Sequence, residues 1–253
     1  MIQRVLIRKA KKQLIDDRER VLEDEKLYFI EDITKDYHSS DGVFKAEDLN
    51  KTEGKIKSNK GKDFHIIEAS FIDSYKGIKK LAQTIPLKDL GFVLAETGIG
   101  KNSIIIDAGS GSGGAACFLA RHVKKVYSFD INEKNLEQEK ENAKHFGLDN
   151  IEFKKADVYK EIPVKDADLL LLDLPEPWKA VETANIAIKH GGFIVIYCPQ
   201  ITQAQQFINS AKEFLHLKTI EIIERDWKVE GQIVRPKSLS NIHSGFLVLL
   251  RKI

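Results

Sequence analysis

The stretch IIIDAGSGSGG at Ile104–Gly114 decides the fold of this chain. Its three isoleucines predict a buried strand, Asp107 ends that strand, and a glycine-rich turn leads into the start of a helix. A second run, LLLLDLPEPW at Leu169–Trp178, predicts another buried strand that ends at Asp173, where two prolines prevent its continuation. Both strands therefore belong in one parallel sheet, with their carboxyl ends on the same edge.

Helices alternate with short apolar strands around this centre. The alternation predicts a doubly wound α/β sheet, in which ligands bind at the carboxyl ends of the strands. Two final strands follow without a helix between them, which predicts an antiparallel terminal hairpin. The predicted elements are helix Lys88–Ile99, strand Ile104–Asp107, helix Gly113–His122, strand Lys125–Asp130, helix Glu133–Phe146, strands Ile151–Lys155 and Asp168–Asp173, helix Pro177–His190, strand Phe193–Pro199, helix Ile201–Leu215, and strands Leu217–Trp227 and His243–Arg251.

The composition is that of a globular protein that buries a full core. The 253 residues are 42% hydrophobic and 31% charged. Forty Lys and Arg residues against 38 Asp and Glu leave a formal charge of only +2, so no global field indicates a polyanionic partner. No apolar run has the length of a membrane span, and the first residues lack the apolar segment of a signal peptide. We therefore expect a cytoplasmic protein with no membrane partner.

The two cysteines, Cys117 and Cys198, lie inside apolar runs and lack the spacing of a metal or redox motif. Free cysteine behaves as a small apolar residue in protein cores. We therefore expect two buried thiols in a reducing compartment and no metal site.

Residues 1–75 differ from the rest and predict a small β-rich N-terminal domain, followed by the α/β domain at 76–253. Its β-like runs are Arg4–Arg8, Leu27–Ile33 and Phe64–Phe71, separated by polar turns such as Asn50–Lys62. The lysines of that last turn can meet phosphate, although their spacing alone favours a solvated loop. They are Lys51, Lys55, Lys57, Lys60 and Lys62.

The glycine turn predicts a cofactor site. Gly109, Gly111 and Gly114 have the spacing of a dinucleotide-binding turn, so they alone leave open a nucleotide cofactor or S-adenosylmethionine. A carboxylate at Asp107 would oppose a pyrophosphate but can hold the amino-acid end of S-adenosylmethionine, directly or through water. Asp130 ends the next strand, where a carboxylate binds both ribose hydroxyls. These acids favour S-adenosylmethionine over a nucleotide cofactor or a vestigial site.

Asp157 follows the third strand, from which its side chain can read an adenine amino group. The alternative for this residue is a helix cap, since Asp before a short helical turn is a common N-cap. Capping does not account for Asp107, because that residue follows three isoleucines and an unpartnered buried carboxylate is costly.

Asp173 is the candidate for chemistry on the acceptor. The prolines at 175 and 177 fix the exit of its strand, which holds the acid at the mouth of the site. A carboxylate fixed beside a methyl donor indicates an acceptor that bears an amine. A structural cap of the following turn is the alternative, and it explains the acid but neither both prolines nor Trp178.

Several runs resemble the tRNA (adenine-N1)-methyltransferase family, which acts on adenine 58 of the T-loop and, in archaeal members, also on adenine 57. The runs are IIIDAGSGSGGAACFLA, LLLLDLPEPWKAVETANIAIKHGGFIVIYCP and IVRPKSLSNIHSGFLVLLRKI. The stretch Gln83–Asp89 and the pattern DYHSSDGVF…GKIKSNKGKDFHIIEAS resemble the same family. The resemblance spans nearly the whole chain, and the glycine turn is its least specific part.

The resemblance implies a Rossmann-like class I enzyme that uses S-adenosylmethionine, forms a homotetramer, flips an adenine out of tRNA and methylates its N1. Asp173 would be the catalytic acid. Arg235 and His243 match the family's tail and could face tRNA or the target pocket, with a salt bridge and a core histidine as the alternatives. The implied cofactor contacts are Gln83 at the border, Ser110, Gly111, Ser112 and Gly113 at the methionine part, Asp130 at the ribose and Asp157 at the adenine.

One segment departs from the family pattern. Many relatives carry Tyr-Pro or His-Pro before Lys-Asp, where the ring is placed to stack on the flipped adenine. This chain reads Ile85-Pro86-Leu87-Lys88-Asp89, so stacking at that position is not predicted.

Two other functions remain open from the sequence. A protein methyltransferase of the L-isoaspartyl type shares the glycine turn and the sheet, but it does not explain DLPEPW or the N-terminal domain with its lysine-rich turn. A non-catalytic tRNA-binding subunit would have a decayed cofactor site. The intact Gly109, Gly111, Gly113, Asp130 and Asp173 argue against such decay.

Overall fold

The computed structural model describes residues 2–15, 18–81, 83–231, 233–237 and 243–253. The chain divides into two compact units, Met1–Ile78 and Lys79–Ile253, against a predicted boundary after residue 75. Within the described residues, no helix has the length and apolar character needed to cross a membrane.

The N-terminal unit is built on an antiparallel sheet in the order β4-β1-β8-β7. Its core contains Leu6, Phe44, Phe64 and Ile66, all 1% exposed or less. The strands are β1 Arg4–Arg8, β2 Lys11–Ile15, β3 Arg18–Glu23, β4 Lys26–Ile30, β5 Tyr37–Ser39, β6 Gly42–Phe44, β7 Glu53–Lys57 and β8 Asp63–Glu68; the helices are α1 Ala46–Leu49 and α2 Phe71–Lys76.

Two predictions for this unit are corrected. The predicted turn Asn50–Lys62 contains strand β7, because Ile56 is buried in the core and pairs with Phe64. The predicted strand Phe64–Phe71 ends at Glu68. There Ser70 starts helix α2 with a capping box, in which its hydroxyl and the Asp73 carboxylate exchange hydrogen bonds with backbone N–H groups.

The C-terminal unit is a seven-stranded sheet in the order β11-β10-β9-β12-β13-β17-β14. Its first five strands are parallel, and β17 runs antiparallel between β13 and β14. The elements are α3 Leu87–Thr97, β9 Ile104–Ala108, α4 Gly114–Ala120, β10 Lys125–Asp130, α5 Glu133–His145, β11 Ile151–Lys155, β12 Ala167–Leu172, α6 Val181–Ala187, β13 Ile188–Cys198, α7 Ile201–Ser210, β14 Phe214–Glu221, β15 Trp227–Glu230, β16 Ile233–Pro236 and β17 Phe246–Lys252. The predicted doubly wound fold with an antiparallel end is confirmed.

The boundaries after β12 differ from the prediction. The expected helix Pro177–His190 is a 3-10 turn at Pro177–Ala180 followed by α6, and strand β13 already begins at Ile188. Ile188 is 1% exposed and pairs with Ala167, so core packing recruits the segment into the sheet. The expected helix Ile201–Leu215 ends at Ser210 for the same reason, since Phe214 pairs with Lys252 in the sheet.

The centre of the sheet positions the site. Leu169–Leu172 of β12 are fully buried because helices cover both faces of the sheet. Asp107 of β9 is in register with Ser128 of β10 and Leu171 of β12. The strand order reverses between β9 and β12, which is the switch point where open α/β sheets bind ligands.

Candidate functional site

A cavity of about 430 Å³ lies at the carboxyl ends of β9, β10 and β12. Acids follow or end all three strands, and the glycine turn after β9 forms one wall. The lining residues are Gln83, Thr84, Ile85, Asp107, Gly109, Ser110, Gly111, Gly114, Ala115, Phe129, Asp130, Ile131, Asn135, Ala156, Asp157, Val158, Tyr159, Asp173, Leu174 and Pro175.

The turn requires glycine at two positions. At Gly109 the backbone has φ +84°, and a Cβ atom would lie 2.2 Å from the carbonyl oxygen of Asp173. At Gly113 φ is +77°, and a Cβ would lie 2.3 Å from Cγ of Glu139. Side chains are strained at such φ values, and both contacts are closer than any real Cβ contact. The bare turn thus lets a backbone wall approach a ligand closely.

Asp107 is the most deeply buried of the acids that line the cavity. It is 1% exposed, and its Oδ2 atom has no hydrogen-bond partner among the described residues. Burial, together with the charges of Glu139 and Asp173, raises the pKa of Asp107 well above its usual range. A ligand that offers a cationic N–H donor would satisfy this oxygen.

Asp130 is held rigidly at the end of β10. Its Oδ2 accepts hydrogen bonds from the N–H of Gly111 at 2.9 Å and from Nδ2 of Asn135 at 3.0 Å, and its Oδ1 accepts from the N–H of Asn132 at 2.8 Å. The carboxylate is 8% exposed and lines the cavity. It joins the glycine turn to the start of α5 and presents a fixed acceptor to the cavity.

Asp157 lines the cavity and also caps a turn. Its Oδ1 accepts from the N–H of Tyr159 at 3.1 Å, and its Oδ2 lies 3.2 Å from Nζ of Lys160. The alternative capping role therefore exists in the structure beside the predicted one. Gln83 is exposed and borders the same cavity.

Only two of the four residues predicted to contact the methionine part of the cofactor line the cavity. Ser110 and Gly111 line the cavity, but the Ser110 hydroxyl turns away and donates to Oε2 of Glu139 at 2.8 Å. Ser112 and Gly113 lie outside the lining. The Ser112 hydroxyl accepts a hydrogen bond from the N–H of Leu81 at 2.6 Å, so it fixes the segment before α3 instead.

The carboxylate oxygens of Asp173 are unused as hydrogen-bond acceptors within the described part of the chain. Its N–H donates to the carbonyl of Ala108 at 3.0 Å, which ties the segment after β12 to β9. Its carboxylate forms no hydrogen bond or ion pair with another described residue, and burial raises the pKa of Asp173 to about 6. The next turn, at Pro177, has no side-chain cap. The alternative role of Asp173 as a turn cap is therefore wrong.

Glu139 is a buried acid that sequence reasoning missed. It lies on α5 behind the glycine turn, is 0% exposed, and accepts hydrogen bonds from Ser110 Oγ at 2.8 Å and Ser128 Oγ at 2.6 Å. Burial raises the pKa of Glu139 to about 7, although both serines lower it. The available signal was its helical spacing from Leu136 and Ala143, which places it on the buried face.

Arg235 and His243 lie outside the cavity lining. Arg235 is exposed on β16, opposite Lys228. The imidazole of His243 bonds to Oε1 of Glu221 at 2.5 Å and to the carbonyl of Pro199 at 3.0 Å, and the Glu221 bond raises the pKa of His243. Its side chain is 48% exposed, so the core-histidine alternative is wrong.

A buried polar cluster ties the tail to helix α3. Nζ of Lys88 donates to the Asp89 carboxylate at 3.0 Å, to the carbonyl of Ile222 at 2.7 Å and to Oγ of Ser244 at 2.6 Å. The Tyr197 hydroxyl donates to the carbonyl of Ser244 at 2.5 Å. Lys88 and Asp89 follow the segment that differs from the family pattern. They therefore have a structural role, because they hold the residues just before β17.

Comparison with known proteins identifies the family. Residues 77–245 match the family described as the tRNA methyltransferase complex GCD14 subunit. The chain belongs to this family. Membership confirms the resemblance that the sequence motifs indicated.

Curated proteins similar to this GCD14 family member are adenine-N1 methyltransferases by name. The tRNA (adenine(57)-N(1)/adenine(58)-N(1))-methyltransferase TrmI of Methanocaldococcus jannaschii is 32% identical over 96% of this chain and 95% of its own length. The tRNA (adenine(58)-N(1))-methyltransferase TrmI of Thermus thermophilus is 29% identical over 79% of this chain and 81% of its own.

Solved structures agree with the fold of this family member. A SAM-dependent O-methyltransferase from Thermotoga maritima superposes with a TM-score of 0.83 at 26% identity, covering all of this chain and 93% of that one. The tRNA (m1A58) methyltransferase TrmI from Aquifex aeolicus superposes with a TM-score of 0.78 at 21% identity, covering all of this chain and 97% of that one.

Proposed function

We propose that this protein transfers a methyl group from S-adenosylmethionine to N1 of adenine 58 in the T-loop of tRNA, and also to adenine 57 as the name of its archaeal relative states. The observation that carries the proposal is the free carboxylate of Asp173, fixed at the mouth of a glycine-walled cavity whose other acids have the pattern of a cofactor site. The curated relatives supply the acceptor.

The residues of the cavity fit S-adenosylmethionine. The orphaned Oδ2 of Asp107 suits the ammonium of the amino-acid end, and the rigid carboxylate of Asp130 suits the ribose hydroxyls. The wall at Gly109 and Gly111 allows close approach. Asp157 and Gln83 lie at the border, where they can meet the adenine. When bound, the cofactor supplies an electrophilic methyl group.

The chain's own contribution to the reaction is mainly positioning. N1 of adenine is a neutral in-plane lone pair, and an in-line approach to the methyl group removes most of the barrier. Methylation makes the ring cationic. The Asp173 carboxylate would accept a hydrogen bond from the exocyclic amine, stabilise that developing charge, and take the proton that is lost. This role needs the ionised acid, which predominates above its pKa of about 6.

The tRNA must be held at other surfaces, since a flipped base leaves its stack at a cost of a few kcal/mol that phosphate contacts offset. We assign this role to the N-terminal unit, through the lysines of its segment 51–62, with Arg235 and His243 on the exposed tail. The lysines Lys55 and Lys57 extend along the edge strand β7, where Lys55 is exposed. We also propose that the protein forms a homotetramer and acts in the cytoplasm.

The test is incubation of the wild-type protein with S-adenosylmethionine and an unmodified tRNA transcript, followed by nuclease digestion and mass spectrometry of the fragments. We expect 1-methyladenosine at position 58, and also at position 57 as in the archaeal relative. An isoaspartyl peptide serves as the competing acceptor. Methylation of the peptide but not of tRNA would support the L-isoaspartyl alternative and overturn the proposal. Cofactor binding without transfer to any tRNA would support a non-catalytic subunit.

A further inference from the structure

We propose that Glu139 determines specificity at the cofactor cavity: its charge behind the glycine turn makes the site prefer the sulfonium donor over the neutral thioether product. The inference rests on the proposed function, because it takes S-adenosylmethionine and S-adenosylhomocysteine as the two ligands. It concerns a residue that lies outside the cavity lining and acts through space.

The position of Glu139 is fixed by tight packing. Its Cγ would be 2.3 Å from a Cβ at Gly113, so the side chain lies directly against the turn. Ser110, which lines the cavity, donates its hydroxyl to Oε2, and Ser128 donates to Oε1. One residue therefore separates the Glu139 carboxylate from the bound ligand.

The charged groups that act on Glu139 from the neighbouring strands are acids. Asp107 from β9 and Asp130 from β10 interact electrostatically with it, and Asp173 after β12 acts on Asp107. The Cys117 thiol of α4 lies in the field of Glu139 and Asp107, and burial raises its pKa, so it stays neutral. Lys140, the neighbouring cation on α5, is exposed.

None of these four carboxylates forms an ion pair with a residue in the described part of the chain. The independent sign that a ligand binds here is Oδ2 of Asp107, which is buried at the cavity wall without a hydrogen-bond partner among the described residues. The donor carries an ammonium and a sulfonium cation, whereas the product keeps only the ammonium. Acids that lack cations of their own therefore attract the donor more strongly than the product.

The preference for the donor over the product depends on pH, because Glu139 changes its charge near neutrality. Its pKa of about 7 means that it is largely protonated at pH 6 and ionised at pH 8. A cation bound nearby favours the ionised form, so the donor releases a proton as it binds and its affinity rises with pH. Asp107 and Asp173 titrate in the same cavity, so a substitution is needed to assign the effect to Glu139.

The experiment is calorimetric titration of the full chain with S-adenosylmethionine and, separately, S-adenosylhomocysteine at pH 6, 7 and 8. For the wild type we expect the preference for the donor to increase about three- to tenfold from pH 6 to pH 8, the scale of one screened charge at the wall of a site. Glu139→Gln keeps the shape but not the charge, and removes this increase. Glu141→Gln, an exposed carboxylate on the same helix, keeps it.

Ser128→Ala provides a second variant that leaves Glu139 in place. It removes a hydrogen bond that favours the ionised carboxylate, so the pKa of Glu139 rises and the increase in preference moves to higher pH. A purely structural role for Glu139 would instead change the affinities of both ligands together.

The outcomes separate the two proposals. Equal pH dependence for donor and product, or a Glu139→Gln variant that retains the wild-type dependence, would overturn the role of Glu139 while the cofactor site stands. Failure of the wild type to bind either ligand at any pH would overturn the proposed function itself.

Discussion

Two buried acids, one in each unit, show how differently a protein uses a carboxylate. Asp41 of the N-terminal unit is 7% exposed and bonds to Arg8 at 2.7 Å, Lys26 at 3.0 Å and the Tyr28 hydroxyl at 2.5 Å. Burial alone would raise the pKa of Asp41, but these partners hold it well below its usual range. Asp107 of the C-terminal unit is more deeply buried and leaves one oxygen unpartnered.

The contrast indicates which acids stabilise the fold and which await a ligand. A buried charge with hydrogen-bonded partners is compensated by the protein itself. A buried acid without such partners favours its protonated form, and a cation that binds beside it favours the charged form. Asp41 therefore belongs to the architecture of its unit, while the proposed function assigns Asp107 and Asp173 to the chemistry of the cavity.

The largest effect is expected at Asp173. Asp173→Ala removes the group that stabilises the cationic ring, so methyl transfer falls at least about a hundredfold, the scale of one electrostatic or acid–base group. Cofactor binding largely persists, because other residues provide it. Single-turnover rates and calorimetric binding measure the two properties separately. Glu176→Gln, which alters a nearby acid paired with Lys179, is the control, and wild-type turnover in Asp173→Ala would rule out the role.

The next prediction tests the two acids against each other by stability. Asp41→Asn leaves Arg8 and Lys26 without their carboxylate and lowers the free energy of unfolding by about 1–3 kcal/mol. The raised pKa of Asp107 favours its neutral, protonated form in the cofactor-free protein, so Asp107→Asn exchanges one neutral buried group for another and leaves the stability nearly unchanged. Urea unfolding without cofactor compares the variants. A stability loss as large for Asp107→Asn as for Asp41→Asn would remove the distinction between them.

The pH dependence of stability distinguishes Glu139, a buried acid without an ion-pair partner among the described residues, from the ion-paired Asp41. The folded pKa of Glu139, about 7, exceeds its ordinary value of 4.5, so the folded state holds the proton more tightly and stability is lost as pH rises from about 4.5 to 7. Asp41 acts in the opposite direction, since its lowered pKa stabilises the fold above pH 4 and this contribution is lost on acidification. Glu139→Gln should reduce the decline between pH 5 and 8 by about 1–3 kcal/mol. Urea midpoints across this range measure it, and an unchanged decline would contradict the assignment.

The smallest effect is expected at Asp157, because its carboxylate is shared between a turn, Lys160 and the cavity. Asp157→Asn should weaken binding of S-adenosylmethionine about two- to tenfold, the range of a single hydrogen bond. Lys160→Ala is the matched control, since it removes only the exposed partner. Equal effects in both variants would mean that the turn, rather than a contact with the cofactor, determines the affinity.

Much of the fold could be predicted because local patterns and tertiary structure agree at the centre of the sheet. The strands Lys125–Asp130 and Ile151–Lys155 have the bounds that their apolar runs predicted. Failures occur where packing overrides a local pattern: Ile188 enters the sheet although its segment has helical spacing, and Ile56 turns a lysine-rich stretch into a strand.

The candidate site could be predicted only in part. Acids at strand ends are visible in a sequence, since strand order follows from the alternation of elements, and the cavity brings Asp107, Asp130, Asp157 and Asp173 together. The place of Glu139 behind the glycine turn could not be predicted, because it depends on which turn its helix packs against. The hairpin β15–β16 was also missed, and the segment 238–242 of the family's tail lies outside the described residues.

The most direct test of the proposed cofactor site is a structure determined from crystals of the protein soaked with S-adenosylmethionine. We expect the ammonium group to bind Oδ2 of Asp107, directly or through one water, and the ribose to bind Asp130. The methyl group should face the side of the cavity that holds Asp173. Cofactor density elsewhere on the protein, or a cavity in which Asp107 keeps its oxygen unpartnered beside a bound cofactor, would contradict the proposed site.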